Sequence, residues 1–314
     1  MPQPVLPTLP FGARSTADEV LAGIDLSGQT ILVTGCNAGI GFETMRSLAA
    51  HGAHVIGIAR SAATAREACA RAGGTTTPVA CDLADLASIV AAAETVHGLG
   101  RPLDAIVANA GMMGHRTVER RDGVEMQFLV NHVAHFLLLT RVADLLRDKT
   151  GRIAVVSSSA SVQLAPREGI MFDNLDGHRN YRAMRFYGQS KLANALFAME
   201  LSRRLAGRGI AVNALHPGVI LGTRFLRRAG PFLRLIGWAG RHFTKSIPQG
   251  AATQVLLAAN PLVAGVTGQY WADCQVARGS RYLNDPAMAS RLWTVTEEIL
   301  ARTPGLQNAP AVWV

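Results

Sequence analysis

The chain has 314 residues, of which 49% are hydrophobic and 17% charged, so it can form a large core and is not an intrinsically disordered protein. Its four cysteines are scattered without a C-x-x-C pair, so we expect neither a disulfide scaffold nor a metal site. The net charge is +9, and it reflects either compositional bias or attraction for an anionic cofactor. Because the sequence has no run of five basic residues, we expect no nucleic-acid partner.

The beginning of the chain is rich in proline and has no periodic pattern, so residues 1–24 are predicted to form an extended arm. It lacks the basic region and apolar stretch of a signal peptide. The longest apolar segment, 128–139, is interrupted by polar residues and is too short to span a bilayer. We therefore expect a cytoplasmic protein without membrane contact.

Short apolar runs then alternate with helical stretches. Strands are predicted at 31–34, 55–58, 78–81, 105–108, 152–156, 210–214 and 267–271, and helices at 41–51, 62–72, 84–97, 124–147 and 184–206. Uniformly apolar strands separated by helices are typical of a parallel sheet covered on both faces. The predicted fold class is α/β: a doubly wound, Rossmann-type parallel sheet of about seven strands, in a single domain spanning 25–314.

A glycine-rich turn at 34–41 follows the first predicted strand and opens the first helix. Its first glycine would permit a tight turn, its second the approach of a pyrophosphate, and its third close packing of helix on sheet. The spacing G-x-x-x-G-x-G differs from the common fingerprint, so a purely structural turn is the alternative. The candidate cofactor-binding residues here are Gly35, Asn37, Gly39, Ile40 and Gly41.

The second predicted strand is followed by Arg60, and no acidic residue stands at its end. A carboxylate at this position would bind the ribose 2′-hydroxyl of NAD, whereas the planar guanidinium of an arginine pairs with a 2′-phosphate. The sequence therefore favours NADP(H) over NAD(H). The alternative is that Arg60 is a surface residue of an arginine-rich protein.

Tyr187 and Lys191 are four positions apart in a predicted helix, so their side chains share one face. A neighbouring ammonium lowers the pKa of a phenol, which is otherwise about 10, and such a pair can exchange a proton with an alcohol or a carbonyl oxygen. The Y-x-x-x-K pattern is common by chance. Here, however, Lys191 is one of only three lysines in the chain.

Polar residues also follow the fourth and fifth predicted strands, at the edge where ligands bind in such sheets. They are Asn109–Gly111 and Ser157–Ser159, and a serine hydroxyl there would hydrogen-bond a substrate carbonyl. Asn131 lies inside an apolar helix, where its amide must find partners. The structural alternatives are serines that merely end a strand and a satisfied core asparagine.

In combination these motifs resemble the short-chain dehydrogenase/reductase family over about residues 25–274. The matching motifs are T-G-x-x-x-G-I-G at 34–41, Asp82-Leu83, N-A-G at 109–111, Asn131, the serines at 157–159, Y-x-x-x-K at 187–191 and Pro217-Gly218. The N-H-x-x-H-F segment at 131–136 and the pattern from Gly268 through Tyr270 to Cys274 are similar to the branch of retinol dehydrogenases and WW-domain oxidoreductases.

The resemblance implies roles for individual residues. Tyr187 would be the general acid/base, and Lys191 would lower its pKa and hold the ribose hydroxyls. Ser158 would orient the substrate carbonyl, and Asn131 would support Lys191 through a water. The implied cofactor contacts, besides those of the glycine turn and Arg60, are Asp82, Leu83, Asn109, Ala110, Gly111, Tyr187, Lys191, Pro217, Gly218 and Thr223. Gly222 is the alternative to Thr223 beside the carboxamide.

The chain departs from the family pattern in the glycine turn, where Ala38 replaces a frequent serine, and in an insert at about 163–185. Residues 222–247 would form a flap over the substrate. Their mixture of apolar and arginine side chains favours a lipophilic substrate, with a helix packed on the core or contact with a membrane surface as alternatives.

The predicted function is therefore an NADP(H)-dependent oxidoreductase in which 25–314 is a dinucleotide-binding catalytic domain. It would transfer a hydride between nicotinamide and a lipophilic small-molecule carbonyl or alcohol substrate, by a proton relay of Tyr187, Lys191, Ser158 and Asn131. The alternative is a non-catalytic dinucleotide-binding regulator of the same fold. The resemblance further implies a homodimer or a homotetramer.

Overall fold

The computed structural model describes residues 9–114, 117–220, 244–304 and 306. The strands are β1 Thr30–Thr34, β2 His54–Ala59, β3 Thr76–Ala80, β4 Ala105–Ala108, β5 Arg120–Arg121, β6 Val124–Glu125, β7 Arg152–Val156, β8 Ala211–His216, β9 Tyr270–Ala272 and β10 Gln275–Val276. The helices are α1 Ala17–Val20, α2 Gly39–Ala50, α3 Ala62–Ala72, α4 Leu86–Gly98, α5 Met126–Phe128, α6 Ala134–Val142, α7 Ala160–Gln163, α8 Ala183–Arg204, α9 Ile247–Ala259 and α10 Pro286–Arg302.

The main sheet has eight strands in the order β10-β9-β8-β7-β4-β1-β2-β3. All neighbouring pairs are parallel except β9 with β10. The predicted doubly wound α/β fold is confirmed, with eight strands in place of about seven. The extra strand, β10, has only two residues, which is too short to produce a pattern in the sequence.

The strand order reverses between β1 and β4, which pair directly with Ile31 opposite Ala105 and Val33 opposite Val107. Both strands end at the same edge of the sheet, and the chain leaves them toward opposite sides. In open parallel sheets this switch point opens a crevice that receives ligands. The glycine turn follows β1 and the N-A-G segment follows β4, so both lie at this crevice.

Two hydrophobic clusters cover the two faces of the sheet, because successive residues of a strand point to opposite faces. Leu32 and Ile106 belong to one cluster with residues of α4, α6, α8 and α10. Ile31 and Val107 belong to the other with residues of α2, α3 and α9. The helices therefore lie on both faces, as the sequence predicts.

The helix predicted over 124–147 is divided. A hairpin of β5 and β6 precedes α5, a π-helical segment at Leu129–Val133 follows, and α6 continues the helix. Of the described residues, one helical stretch, Met126–Leu145, is long and apolar enough to cross a membrane by length and composition. It exceeds the apolar segment noted in the sequence, but 83% of its most apolar 18 residues are buried inside the protein, as in a core helix.

The N-terminal residues from Leu9 onward differ from the extended arm that the sequence predicts. Thr16 caps α1 through reciprocal bonds with Glu19, and α1 packs on α9. The Asn260 amide donates to the Val20 carbonyl at 2.7 Å, which fastens α1 to the end of α9. The T-x-x-E capping box at 16–19 is a local helix signal that the proline-rich composition obscured.

Candidate active site

The glycine turn and the N-A-G segment are joined by short hydrogen bonds across the switch point. The backbone amides of Asn109 and Ala110 both donate to Thr34 Oγ1 at 2.9 Å, and Asn109 Nδ2 donates to the Thr34 carbonyl at 2.8 Å. A Cβ on Gly35 would lie 2.9 Å from Ala110 Cα. A Cβ on Gly41 would clash with the Asn109 side chain and the Gly35 carbonyl. Packing of the two segments therefore requires the first and third glycines.

The second glycine begins α2 and has a positive φ of 59°. Ala38, the N-cap residue of α2, makes no side-chain hydrogen bond to the helix. The first backbone amides of α2 are therefore not capped by the Ala38 side chain. Asn37 and Ile40 are partly exposed beside them. Free amides at a helix N-terminus attract phosphate groups, so the turn fits a dinucleotide pyrophosphate.

The end of β2 lies against the same turn, because the Ile58 carbonyl accepts bonds from the amides of Gly35 at 2.9 Å and Cys36 at 3.1 Å. Arg60 follows two residues later and is exposed. Asp82 and Leu83 follow β3, which pairs with β2. The structure thus gathers these three predicted adenosine-side residues at one end of the crevice.

The predicted catalytic residues meet where β7 ends under α8. Lys191 Nζ donates to the Val156 carbonyl at 3.2 Å, and Ser157 Oγ donates to the Lys191 carbonyl at 2.7 Å. The Ser158 hydroxyl is hydrogen-bonded to the Tyr187 side chain and also accepts the Ala160 amide at 3.2 Å. Ser157 is therefore committed to the backbone of α8, while Ser158 is the serine that faces the phenol.

Burial determines the protonation of both α8 residues. It raises the pKa of Tyr187 to about 12, against the opposing effect of the Ser158 hydrogen bond. It also lowers the pKa of Lys191 to about 8. The sequence predicts a lowered pKa for Tyr187, whereas its pKa in the structure is raised. The reason is that desolvation favours the neutral form of each buried group.

Asn131 lies in the π-helical segment, and its side-chain amide joins Met112 to Ser190 by hydrogen bonds. Its Oδ1 accepts the Met112 amide at 2.7 Å, and its Nδ2 donates to the Met112 carbonyl and to Ser190 Oγ, both at 2.9 Å. A Cβ on Gly111 would lie 3.1 Å from Lys191 Nζ and 3.2 Å from Asn131 Oδ1. Asn131 and Lys191 therefore face the same space beside Gly111, and the water-mediated link between them stays a prediction.

Pro217 and Gly218 follow β8 at the same edge of the sheet. Gly218 has a φ of 94°, and a Cβ there would lie 2.7 Å from the side chain of Lys245. Lys245 is buried and pairs with Asp273 at 2.6 Å, which the motifs did not reveal. The predicted contact of Thr223 or Gly222, and the flap as far as residue 243, lie outside the described residues.

Tyr270 is a further site residue that the sequence motifs marked only as a feature of the branch. Its buried hydroxyl donates to the Ser158 carbonyl at 3.2 Å, so β9 supports the loop that carries the Ser158 hydroxyl. Burial raises the pKa of Tyr270, and the Ser157 and Ser161 hydroxyls oppose this effect. The hydrogen bond from Tyr270 to Ser158 depends on the strand order β9-β8-β7, and a local sequence pattern does not contain this order.

The insert at about 163–185 packs beside the site and is held by buried polar groups. The Tyr181 hydroxyl donates to Glu125 Oε1 at 3.2 Å, and the Met171 amide donates to Gln189 on α8 at 2.8 Å. Two of its four arginines form ion pairs within the insert, Arg179 with Asp173 and Arg185 with Glu168. Ion pairs between exposed groups such as these add little stability.

The sheet, its switch point and the glycine turn define a doubly wound dinucleotide-binding protein. A family model described as short chain dehydrogenase matches residues 29–170. The chain is 36% identical over 307 residues to the short-chain dehydrogenase TIC 32 B, chloroplastic, of Brassica napus, covering 94% of this chain and 95% of that one. It therefore belongs to the short-chain dehydrogenase/reductase family, and the predicted class of enzyme is confirmed.

Other relatives agree with the branch that the motifs resemble. The chain is 37% identical to the WW domain-containing oxidoreductase of Homo sapiens, over 95% of this chain and 74% of that one. It is 36% identical to retinol dehydrogenase 14 of Mus musculus, over 87% and 86% of the two chains. The resemblance is thereby confirmed.

Solved structures show the same fold. An uncharacterized protein from Mycobacterium Paratuberculosis has a TM-score of 0.72 at 29% identity, covering 91% of this chain and 97% of that one. A blue fluorescent protein from a metagenomic library, in complex with NADPH, has a TM-score of 0.63 at 26% identity, covering 79% and 97%. The crevice described above fits the nicotinamide dinucleotides that the family binds.

Proposed function

We propose that the protein is an NADP(H)-dependent oxidoreductase that transfers a hydride between nicotinamide and a carbonyl or alcohol substrate. The observation that carries this proposal is the cluster at the end of β7, where the partly buried Ser158 bonds to the buried Tyr187 and the buried Lys191 follows one turn along α8. The nicotinamide supplies or accepts the hydride when it is bound. The residues of the chain orient the substrate and move the proton.

Reduction of a carbonyl requires a proton donor for the alkoxide that forms. A pKa raised to about 12 keeps the Tyr187 phenol protonated at neutral pH, which is the form that donates. A carbonyl oxygen between the Ser158 and Tyr187 hydroxyls would accept a hydrogen bond from each as its negative charge develops. Lys191 would stabilise the phenolate left behind, because its ammonium lies on the same face of α8.

NADP(H) rather than NAD(H) is supported by Arg60. Its side chain is exposed at the end of β2, and the glycine turn is bonded to that strand. A guanidinium at this position suits a 2′-phosphate, which a neighbouring carboxylate would repel.

A lipophilic substrate is supported by exposed apolar side chains that are close in the chain to the site residues. The described residues include five large exposed hydrophobic residues, and four of them stand within a few positions of Ser158, Tyr187 or Gly218. These four, which we call the apolar rim, are Val162, Leu164, Met184 and Val219. Exposed apolar side chains grouped near a crevice are typical of a site that binds apolar ligands.

The proposal is tested by NADPH oxidation with aldehydes and ketones of increasing chain length, comparing wild type with Ser158→Ala and Ser159→Ala. We expect turnover that prefers NADPH to NADH and a loss of about 100-fold or more in kcat/KM for Ser158→Ala. Ser159→Ala is the matched control, because it removes the same hydroxyl one residue further on. NADPH binding without turnover on any substrate would favour the alternative, a non-catalytic regulator.

The cytoplasmic location and the homodimer or homotetramer expected from the sequence stay predictions. Light scattering of the purified chain would measure its oligomeric state directly. Fractionation of the native cells would separate a cytoplasmic protein from one that binds membranes.

A further inference from the structure

The N-H-x-x-H-F segment contains two buried histidines that face different parts of the molecule. His132 Nε2 lies 2.9 Å from Thr296 Oγ1 on α10. Its ring packs against the rings of Phe128 and Phe197, with centroids 5.1 and 5.9 Å away. All these partners belong to the core on one face of the sheet, so His132 has a packing role.

His135 instead lies against the start of the glycine turn. Its Nε2 lies 3.0 Å from Thr34 Oγ1, at the start of the glycine turn, and its Nδ1 lies 2.9 Å from the backbone carbonyl of Asn131. The imidazole is only 1% exposed, so these contacts are shielded from water. One ring therefore bridges the two chain segments that flank the crevice.

The proton positions follow from the partners. Thr34 Oγ1 already accepts the amides of Asn109 and Ala110, so its single proton is free for His135 Nε2. Because Nε2 accepts, Nδ1 carries the ring proton and donates it to the Asn131 carbonyl. Burial, helped by the nearby charge of Lys191, lowers the pKa of His135 to about 4 and keeps the ring in this neutral form.

Building on the function proposed above, we propose that His135 is a positioning residue that fixes the glycine turn relative to the π-helical segment. On one side it holds the Thr34 hydroxyl, which in turn holds the N-A-G segment. On the other it holds Asn131, whose amide fastens Met112 and Ser190, the residue before Lys191. His135 thereby fixes the position of the cofactor-binding turn relative to the residues of the proton relay.

The test compares His135→Leu, which removes both ring contacts, with His135→Gln, whose amide can donate and accept, and with the control His132→Leu. The readouts are the Kd for NADPH, kcat, and Tm. We expect His135→Leu to weaken NADPH binding and to lower kcat, each by about 10- to 100-fold, because small displacements at a reacting centre have effects of that size. His135→Gln should recover part of both losses.

The control should lower Tm and leave the Kd and kcat of the folded protein within about 2-fold, since its partners lie in the core. In a Thr34→Val background, the effect of His135→Gln on NADPH binding should vanish, because the shared hydroxyl is gone. This second variant pair keeps the proposal testable if His135→Leu does not fold.

The proposal is overturned if His135→Leu and His132→Leu lower Tm alike while NADPH binding and kcat stay at the wild-type values. It is also overturned if wild type binds no NADPH. If wild type binds NADPH but reduces no carbonyl, the oxidoreductase function fails, while the Kd series still decides the role of His135.

Discussion

The proposed cofactor side and the proposed substrate side of the crevice are built differently. On the cofactor side, hydrogen bonds such as the one of 2.8 Å from Asn109 Nδ2 to the Thr34 carbonyl join the N-A-G segment to the glycine turn. A Cβ on Gly41 would clash with the backbone carbonyl of Gly35. On the substrate side, apolar side chains such as Met184 and Val219 are about half exposed. A fixed geometry suits a cofactor that never changes, whereas an open apolar rim allows the substrate to be set by a few side chains.

Among the changes that act on cofactor binding, substrate binding and stability, the largest effect should follow from filling the tight contact on the cofactor side. Gly41→Ala places a methyl group against the Asn109 side chain and the Gly35 carbonyl, which cannot both move. We expect a loss of about 1–3 kcal/mol in the free energy of unfolding and about 100-fold weaker NADPH binding. Gly98→Ala is the control, since nothing lies within 4 Å of its added methyl. Wild-type NADPH affinity in Gly41→Ala would show that the crevice is not this tightly packed.

A smaller effect is expected at the adenosine end of the crevice. Arg60→Ala should raise the Kd for NADPH by about 10- to 100-fold, the range for lost bonds between charged groups, and leave the Kd for NADH unchanged. Arg66→Ala, which removes another exposed arginine from α3, is the control. Calorimetric titration with both cofactors measures the difference. Equal losses for NADPH and NADH would contradict the proposed role of Arg60.

On the substrate side the effects should be modest and should depend on chain length. Met184→Ser should raise KM by roughly 3- to 10-fold for long-chain carbonyls and little for short ones, because only long chains reach the apolar rim. Leu262→Ser is the control, since Leu262 is the one large exposed hydrophobic residue of the described chain that lies outside the rim. The same change in KM for all chain lengths would show that the apolar rim does not bind the substrate chain.

The smallest effect is a pH dependence of stability. The folded-state pKa of Tyr187, raised to about 12, exceeds the unfolded value of about 10. Its contribution to stability is therefore fully present below pH 10 and is lost as the pH rises through 12. Denaturant unfolding of Tyr187→Phe should accordingly show a weaker loss between pH 10 and 12 than wild type. Parallel pH curves would place the phenol in contact with solvent.

The same contrast explains what the sequence could predict. The parallel sheet followed from apolar runs of strand length, and the turn, the N-A-G segment and the Tyr187–Lys191 pair were visible because each is a short local motif. The structure brings these residues together at one edge, as expected from the carboxyl ends of parallel strands.

The remaining features depend on tertiary contacts. The direction of the Tyr187 pKa shift follows from burial, which a spacing of four residues does not contain. The support of Ser158 by Tyr270 joins positions 112 residues apart in the chain. The π-helical segment within 124–147 could not be distinguished from α-helix by apolar content alone.

The most direct test of the central claim is the rate of carbonyl reduction by Tyr187→Phe, measured beside its Kd for NADPH. Tyr282→Phe is the control, because it removes a phenol hydroxyl that bonds to the Arg167 carbonyl in the insert. We expect Tyr187→Phe to lower kcat by about 100- to 10,000-fold while NADPH still binds with wild-type affinity. Reduction at the wild-type rate without the Tyr187 hydroxyl would contradict this claim.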